Sequence, residues 1–232
     1  MIQEAAGRNR AAEAMLAFVD PFGFSGVDMK QIASLLSYPR CELIFNFMVD
    51  SVVRFRNHSH PNIQQSFLDL FGGSEYLDAF AEGRVSDGLV DTFIQKVQEL
   101  GQFEYLRKFE MLNQRGKNNF IIFATHNIRG LDAMKNAMWK VDPQLGKRFS
   151  DVEKNPLFAS AADFRGLRAS LLEQFAGKCV GISTIEEFVR VGDYRVEQLR
   201  KGALEPFERD GLIDVERPSK SGFPDGTRIL FH

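Results

Sequence analysis

The sequence lacks the cysteine patterns of metal ribbons and of thiol redox centres. Its two cysteines, Cys41 and Cys179, stand far apart, and neither belongs to a CxxC pair. Zinc ribbons and dithiol redox motifs are therefore excluded on spacing. Two buried, reduced thiols in the cytoplasm are the state that this pattern predicts.

Long apolar runs are missing as well. No stretch reaches the roughly 18 consecutive apolar residues of a membrane helix. The opening segment, MIQEAAGRNRAAEAM, holds no apolar signal core. The sequence therefore predicts a soluble, cytoplasmic protein that has no membrane partner.

Neither sign of charge dominates, because the formal net charge is -2. No overall basic field attracts nucleic acid, so such binding would require a local patch. What the chain does have is 44% hydrophobic residues, including 22 Phe, which is enough for a sizeable packed core. A length of 232 residues fits one large or two small domains.

The first half of the chain predicts a βαβ unit followed by helices and a β-hairpin. Residues 3–14 read as a helix. The apolar strand 16–19 ends at Asp20-Pro21-Phe22-Gly23, and a helix beginning near Asp28 leads to a second strand at 42–47. Such a unit is parallel and right-handed. Later predictions are helices within 62–102, broken at glycines, then a hairpin of strands 103–112 and 119–125, and a helix over 130–139.

The last third predicts helix, strand, helix, helix and a terminal hairpin, which is the winged-helix order. The helices are expected at 165–176, 184–191 and 194–210, and the strands at 179–182, 213–217 and 227–231. Pro206 interrupts the third helix, and we expect a kink there because Gly202, four residues earlier, yields easily. We place the domain boundary within 140–162, which gives domains 1–155 and 156–232.

Several segments together resemble the three-Cys-motif partner protein family. They occur in the family's order and cover most of the chain: FVDPFGFSGVDM, ELIFNFMVDSVVRF, FLDLFGGSEYL, NNFIIFATHNIRGLDAMKNAMW and the terminal winged helix. The resemblance implies a Rossmann-type S-adenosylmethionine-dependent methyltransferase-like fold. It also implies a partner, a radical S-adenosylmethionine-like protein that carries the three cysteines of the name.

Only the second half of that fold has a counterpart here. The resemblance matches the four predicted strands to the fourth through seventh strands of the family sheet, and no GxG loop for the methyl donor occurs anywhere in the chain. We therefore expect an α/β fold with a partial Rossmann-type sheet and a winged helix, and no cofactor in this chain. S-adenosylmethionine is implied for a full-length relative. The open edge of strand 16–20 should be covered or should drive homodimer formation.

Asp20, Pro21 and Phe22 are the candidate catalytic residues. They stand where amino-methyltransferases carry a DPPY or NPPY tetrapeptide, whose acid or amide accepts from the target amino group while an aromatic ring stacks on a flipped base. The motif departs from that pattern, since Phe22 replaces the second proline and Gly23 the aromatic; Phe22 or Phe24 would have to stack. The alternative is that Asp20-Pro21 only ends a strand and caps a helix.

Polar and basic residues give candidate contacts for nucleic acid or for a partner protein: Arg54, Arg195, Gln198, Lys201 and Lys220. Asn46 and Arg54 are expected at the same cleft edge. From Lys178 onward nine Lys and Arg stand against ten Asp and Glu, so strong DNA binding is not expected. His58 and His60 form an HxH pair that reads as a loop more readily than as a metal site.

Two functions follow from these patterns. One is a non-catalytic or partner-dependent interaction module, in which case this chain alone is inactive as an enzyme. The other is an S-adenosylmethionine-dependent methyltransferase that acts on nucleic-acid amino groups in its full-length form. A plain transcription regulator is a third and weaker hypothesis.

Overall fold

The computed structural model describes residues 14–38, 40–81, 85–151 and 161–232. These residues form two compact units. One holds residues 14–131 with 147–151, and the other holds residues 132–146 with 161–232. Apart from its last residue, the helix predicted over 3–14 lies outside the described residues.

The N-terminal unit contains a mixed five-stranded sheet with the order β1-β2-β4-β3-β5. Its strands are β1 (Met15–Val19), β2 (Cys41–Phe47), β3 (Tyr105–Leu112), β4 (Asn118–Thr125) and β5 (Arg148–Ser150). The pairs β1–β2 and β3–β5 are parallel, whereas β2–β4 and β3–β4 are antiparallel. The predicted α/β class, the parallel pair and the hairpin are thus confirmed, and β5 is a strand that the sequence did not predict.

Helices pack on one face of this sheet. They are α1 (Met29–Leu36), α2 (Val49–Phe55), α3 (Pro61–Phe71), α4 (Tyr76–Ala81) and α5 (Val85–Gly101), and α6 (Ile128–Val141) follows β4. Asp28 begins α1, as the sequence predicts, because its carboxylate accepts from the backbone N–H of Lys30 at 2.8 Å. Gly72 ends α3 with a φ of 67°, a conformation that glycine adopts without steric cost.

Alternate residues of β2 anchor the core between sheet and helices. Cys41, Leu43, Phe45 and Phe47 are each at most 1% exposed. The ring of Phe93 in α5 lies 4.6 Å from that of Phe45 and 4.9 Å from that of Phe47. Fully burying one such side chain stabilises the fold by about 2 kcal/mol. This aromatic layer fixes one face of β2 against the helices and leaves its other face for polar residues.

The C-terminal unit surrounds a three-stranded antiparallel sheet with the order β6-β8-β7. In chain order its elements after α6 are α7 (Arg165–Phe175), β6 (Cys179–Gly181), α8 (Ile182–Val191), α9 (Val196–Leu199), a π-helical turn (Arg200–Leu204), α10 (Glu205–Arg209), β7 (Ile213–Glu216) and β8 (Arg228–Phe231). Leu171, Ile185 and Ala203 meet Phe231 in its core, all fully buried.

The strain expected at Pro206 is relieved by the π-helical turn. Pro206 has no N–H, so it cannot donate to the carbonyl of Gly202. The ladder instead lengthens by one residue, and the N–H of Glu205 donates to the carbonyl of Arg200. The Gly202 carbonyl accepts from Nε of Arg168 at 2.7 Å. The helix predicted over 194–210 is therefore divided into α9, the π-helical turn and α10.

Candidate functional site

The carboxyl ends of β1 and β2 meet at one edge of the five-stranded sheet, and polar residues lie there. Asp20 follows β1 directly, and Asn46 is the penultimate residue of β2. The Asn46 Nδ2 donates to Asp20 Oδ1 at 2.7 Å. The structure therefore joins two of the residues that the sequence predicted for this edge, although 26 positions separate them.

The amide oxygen of Asn46 is an acceptor that no described residue uses. Asn46 Oδ1 is buried and has no hydrogen-bond partner within the described part of the chain. Reversing the amide would set two oxygens against each other, so this orientation is the favourable one. A buried acceptor without a donor costs on the order of 1–3 kcal/mol. Because Asn46 Oδ1 is buried, the group that an incoming N–H donor can reach directly is the exposed Asp20 carboxylate, which the Asn46 amide holds in place.

The loop after Asp20 exposes one aromatic ring. Gly23 has a φ of 96°, which a residue with a Cβ rarely adopts, and its N–H donates to the Pro21 carbonyl at 3.0 Å. This tight turn leaves Phe22 fully exposed. Phe24 is buried instead, with its ring 4.7 Å from that of Phe67. Of the two rings considered for stacking, Phe22 is the one that a ligand can reach.

A second polar group lies at the same edge and was not predicted. The backbone N–H of Asn118, which begins β4, donates to Asp50 Oδ2 at 2.6 Å. Its side-chain Nδ2 donates to Glu110 Oε1 at 2.7 Å, and its Oδ1 is buried without a partner among the described residues. The antiparallel register of β3 and β4 brings Asn118 beside Glu110, and Asp50 comes from α2. Because these three segments are separate, the sequence alone does not reveal the cluster.

Arg54 lies in the last turn of α2 with its side chain exposed. Within the described ranges, no hydrogen bond or ion pair joins it to Asp20 or Asn46. The predicted position of Arg54 at the cleft edge is therefore supported only by its position in α2. An exposed guanidinium there remains available to a phosphate or to a partner's carboxylate.

The predicted contact residues of the C-terminal unit differ in exposure. Gln198 is 8% exposed, and its Oε1 accepts from the N–H of Arg195 at 2.8 Å, so this amide serves to begin α9. The Arg195 guanidinium carbon lies 5.9 Å from the centroid of the Trp139 ring. Lys201 and Lys220 are exposed. The two lysines are thus the members of the set that are fully open to a partner.

The HxH pair serves the backbone. Nδ1 of His60 accepts from the N–H of Asn62 at 3.3 Å and so begins α3, and Nδ1 of His58 accepts from the N–H of His60 at 3.3 Å. Across the part of the chain that is described, no group of three or more His, Cys, Asp or Glu could hold a metal ion. The loop interpretation is the one that these contacts support.

A cavity of about 760 Å³ opens at the opposite end of the sheet, where β1 and β2 begin. Glu42 lines it and accepts from the buried Thr125 hydroxyl at 2.7 Å, and the His126 ring stacks on Phe103 at 4.6 Å. Its volume lies within the range of small-molecule sites. No sequence pattern pointed to it, since its lining comes from strand ends that are distant in the chain.

Comparison with known proteins finds no matching family model, no matching curated protein and no matching solved structure. Among the helices of the described residues, none combines the length and the apolar character needed to cross a bilayer.

Proposed function

We propose that this chain is a methyltransferase-like, partner-dependent module related to the three-Cys-motif partner family. The observation that carries the proposal is strand order. The sheet begins β1-β2-β4-β3. β1 and β2 are parallel, β4 runs antiparallel to β2, and β3 pairs antiparallel with β4 and so runs in the direction of β1 and β2. This is the order and direction expected for the fourth, fifth, seventh and sixth strands of a Rossmann-type methyltransferase sheet.

This chain has no glycine loop that could bind the methyl donor. The sequence contains no GxG, the signature of the glycine loop that takes the cofactor in such folds. We therefore expect calorimetric titration of the chain with S-adenosylmethionine to give no saturable heat. Saturable binding would refute the partner-dependent role. Titration with S-adenosylhomocysteine is the matched control, because it shares the adenosine that the loop would hold.

Partner dependence has a direct test of its own. The radical S-adenosylmethionine-like, three-Cys-motif protein implied by the resemblance should co-purify with this chain when both are expressed together. The winged-helix order of the C-terminal unit offers the contact surface, with Lys201 and Lys220 exposed on it. If the two proteins elute separately at micromolar concentrations, the proposed partnership is wrong.

The second candidate function is methyl transfer to a nucleic-acid amino group in a full-length form. The exposed Asp20 carboxylate, which the Asn46 amide holds at 2.7 Å, favours it, because a carboxylate oxygen accepts a hydrogen bond from an amino group. The exposed Phe22 ring is the stacking platform. The departure from the usual tetrapeptide remains, because Gly23 stands where the aromatic would be.

Base stacking on Phe22 can be measured in this chain without the donor. Phe22→Ala should weaken binding of a single-stranded DNA oligonucleotide by about tenfold, since one stacked base contributes roughly 1–3 kcal/mol. Leu77→Ala is the matched control because Leu77 is also exposed and apolar, at 50%. Equal affinities for the two variants would remove Phe22 from the site. We expect weak, salt-sensitive duplex binding; nanomolar affinity at physiological salt would contradict it.

A further inference from the structure

The outer edges of the five-stranded sheet differ in how they are protected. Edge strands usually carry a charge, a proline or a bulge, or are very short, because their free backbone groups otherwise pair with another strand. At one edge β5 has three residues, one of them Arg148. At the other edge β1 has five residues, MLAFV, none of them charged. Among the described strands, none pairs with the outer side of β1.

The side chains of β1 add an apolar strip to this open edge. Leu16 is 59% exposed and Phe18 is 64% exposed, whereas Ala17 between them is 9% exposed and faces the helical layer. Phe18 lies beside the half-buried Ile44 in the parallel register of β1 and β2. Large exposed apolar side chains that recur along an edge strand mark an interaction surface.

We propose that a second copy of this chain binds the edge by antiparallel β1–β1 pairing. A two-fold axis through Ala17 pairs Met15 with Val19 of the other copy and Leu16 with Phe18 of the other copy. Each apolar contact then occurs twice, as a two-fold interface requires. No charge on β1 opposes another across the axis. In this register the strand therefore meets its own apolar side chains and no opposing charge.

The size of the contact sets the strength of the dimer. Five residues of strand pairing bury less than the roughly 800 Å² per partner of a standard stable interface. The association is therefore weak and depends on concentration, with a dissociation constant on the order of micromolar. The inference goes beyond the proposed function and does not depend on it: a monomer would overturn the dimer and leave the strand-order argument and the donor titration unaffected.

The first test is sedimentation equilibrium of the full chain at concentrations from roughly 5 to 500 µM, which brackets a micromolar constant. The wild-type chain should shift from monomer to dimer. Phe18→Lys should stay monomeric, because it sets a charge opposite Leu16 of the other copy. Leu77→Lys, which changes another large exposed apolar residue, on α4, should dimerise as the wild type does. A wild-type monomer throughout, or a Phe18→Lys dimer of wild-type strength, would overturn the proposal.

The second test determines the register of the two paired β1 strands and does not require that the pairing be disrupted. In a Cys179→Ser background, which removes the exposed native thiol, Leu16→Cys and Phe18→Cys are prepared separately and then mixed under mild oxidation. Directly opposed residues lie close enough for a disulfide, whereas each position is displaced from itself across the axis. The mixture should cross-link, and neither variant alone should do so. Cross-linking of either variant by itself, with none gained on mixing, would contradict the two-fold register.

Discussion

The edge strands of the two sheets differ in length and in charge. In the C-terminal unit, β6 has three residues, and β7 carries Asp214 and Glu216 along its four. In the N-terminal unit, β1 is longer than either and holds no charge. Short or charged edges resist further pairing, and long uncharged ones invite it. Among the described strands, both edges of the C-terminal sheet are thus short or charged, whereas the β1 edge of the N-terminal sheet is neither.

Buried polar contacts sharpen the same contrast. In the C-terminal unit Lys135 is 2% exposed, and its ammonium donates to the carbonyls of Val189 at 3.1 Å, Arg190 at 2.8 Å and Tyr194. Two of these carbonyls end α8, where a helix has acceptors to spare and favours a cation. At the carboxyl edge of the N-terminal sheet, two buried acceptors, Asn46 Oδ1 and Asn118 Oδ1, lack donors among the described residues. The described buried side-chain atoms without a partner in the C-terminal unit are instead donors, Nε of Arg195 and Nε of Arg217. The carboxyl edge of the N-terminal sheet and the C-terminal unit therefore differ in the kind of buried group that is unpaired, and in the C-terminal unit a buried ammonium satisfies carbonyls at the end of α8.

The largest effect is expected from Lys135→Met. Methionine has a similar length but donates no hydrogen bond, so the carbonyls at the end of α8 lose a charged donor. We expect the free energy of unfolding of the C-terminal unit to fall by about 3 kcal/mol. Urea unfolding followed by the fluorescence of Trp139, the single tryptophan, reports on this unit.

Lys140→Met is the control for that measurement, since Lys140 lies on the same helix and is exposed. It should change the unfolding free energy by less than about 0.5 kcal/mol. If both variants behave alike, the buried ammonium does not distinguish this unit, and the contrast between the units fails.

A matched pair of helical glycines gives the next largest effect. A Cβ on Gly202 would lie 2.9 Å from the Phe164 ring, which is packed and cannot withdraw cheaply. A Cβ on Gly130 would lie 2.2 Å from Glu42 Oε1, the far end of a flexible side chain, and 2.9 Å from the hydroxyl oxygen of the buried Thr125. Gly202→Ala should therefore destabilise its unit by about 2 kcal/mol. Gly130→Ala should be nearly neutral, because the gain in helix propensity offsets the loss of the Glu42–Thr125 hydrogen bond.

Urea unfolding measures both glycine variants, by Trp139 fluorescence for Gly202→Ala and by far-ultraviolet circular dichroism for Gly130→Ala. The order of the two effects is the decisive result. A larger loss for Gly130→Ala would mean that the N-terminal unit is the more tightly packed of the two at these contacts.

Much of the fold could be predicted because it depends on local pattern. Apolar runs of strand length bounded by turn residues located β1 and β2, and the five-residue polar loop between β3 and β4 identified the hairpin. β5 was missed because three residues, RFS, carry no periodicity, and only their pairing with β3 makes them a strand. The helix 130–139 was predicted with Leu131 and Met138 on its buried side. The burial of Lys135 on that same side was not predicted, because it depends on backbone carbonyls that are distant in the sequence.

The candidate site was predictable only in part, for a related reason. A polar residue at the end of a buried strand marks the end of a sheet, so Asp20, directly after β1, and Asn46, the penultimate residue of β2, could be found from sequence. Asp50, Glu110 and Asn118 could not, because their proximity depends on strand register across segments that are far apart. Gln198 was expected at a surface, yet its spacing after Arg195 also fits a helix-beginning contact, and that contact is what buries it.

The smallest expected effect is on the pH dependence of stability. Arg165 donates to Asp163 through its side chain at 2.7 Å and through its backbone N–H at 2.9 Å, which lowers the pKa of the Asp163 carboxyl to about 2 from 3.8. A lowered pKa favours the folded state above the unfolded value, and that contribution disappears as the pH falls towards 2. Asp163→Asn should therefore be less stable than the wild type at pH 6, and the difference should shrink between pH 4 and pH 2. Solvent screens this surface pair, so the difference is small at every pH. The substitution leaves in place the backbone carbonyl of Asp163, which accepts from the Tyr194 hydroxyl at 3.0 Å. A difference in Trp139-monitored unfolding that does not change with pH would therefore mean that the charge of the carboxylate does not cause the effect.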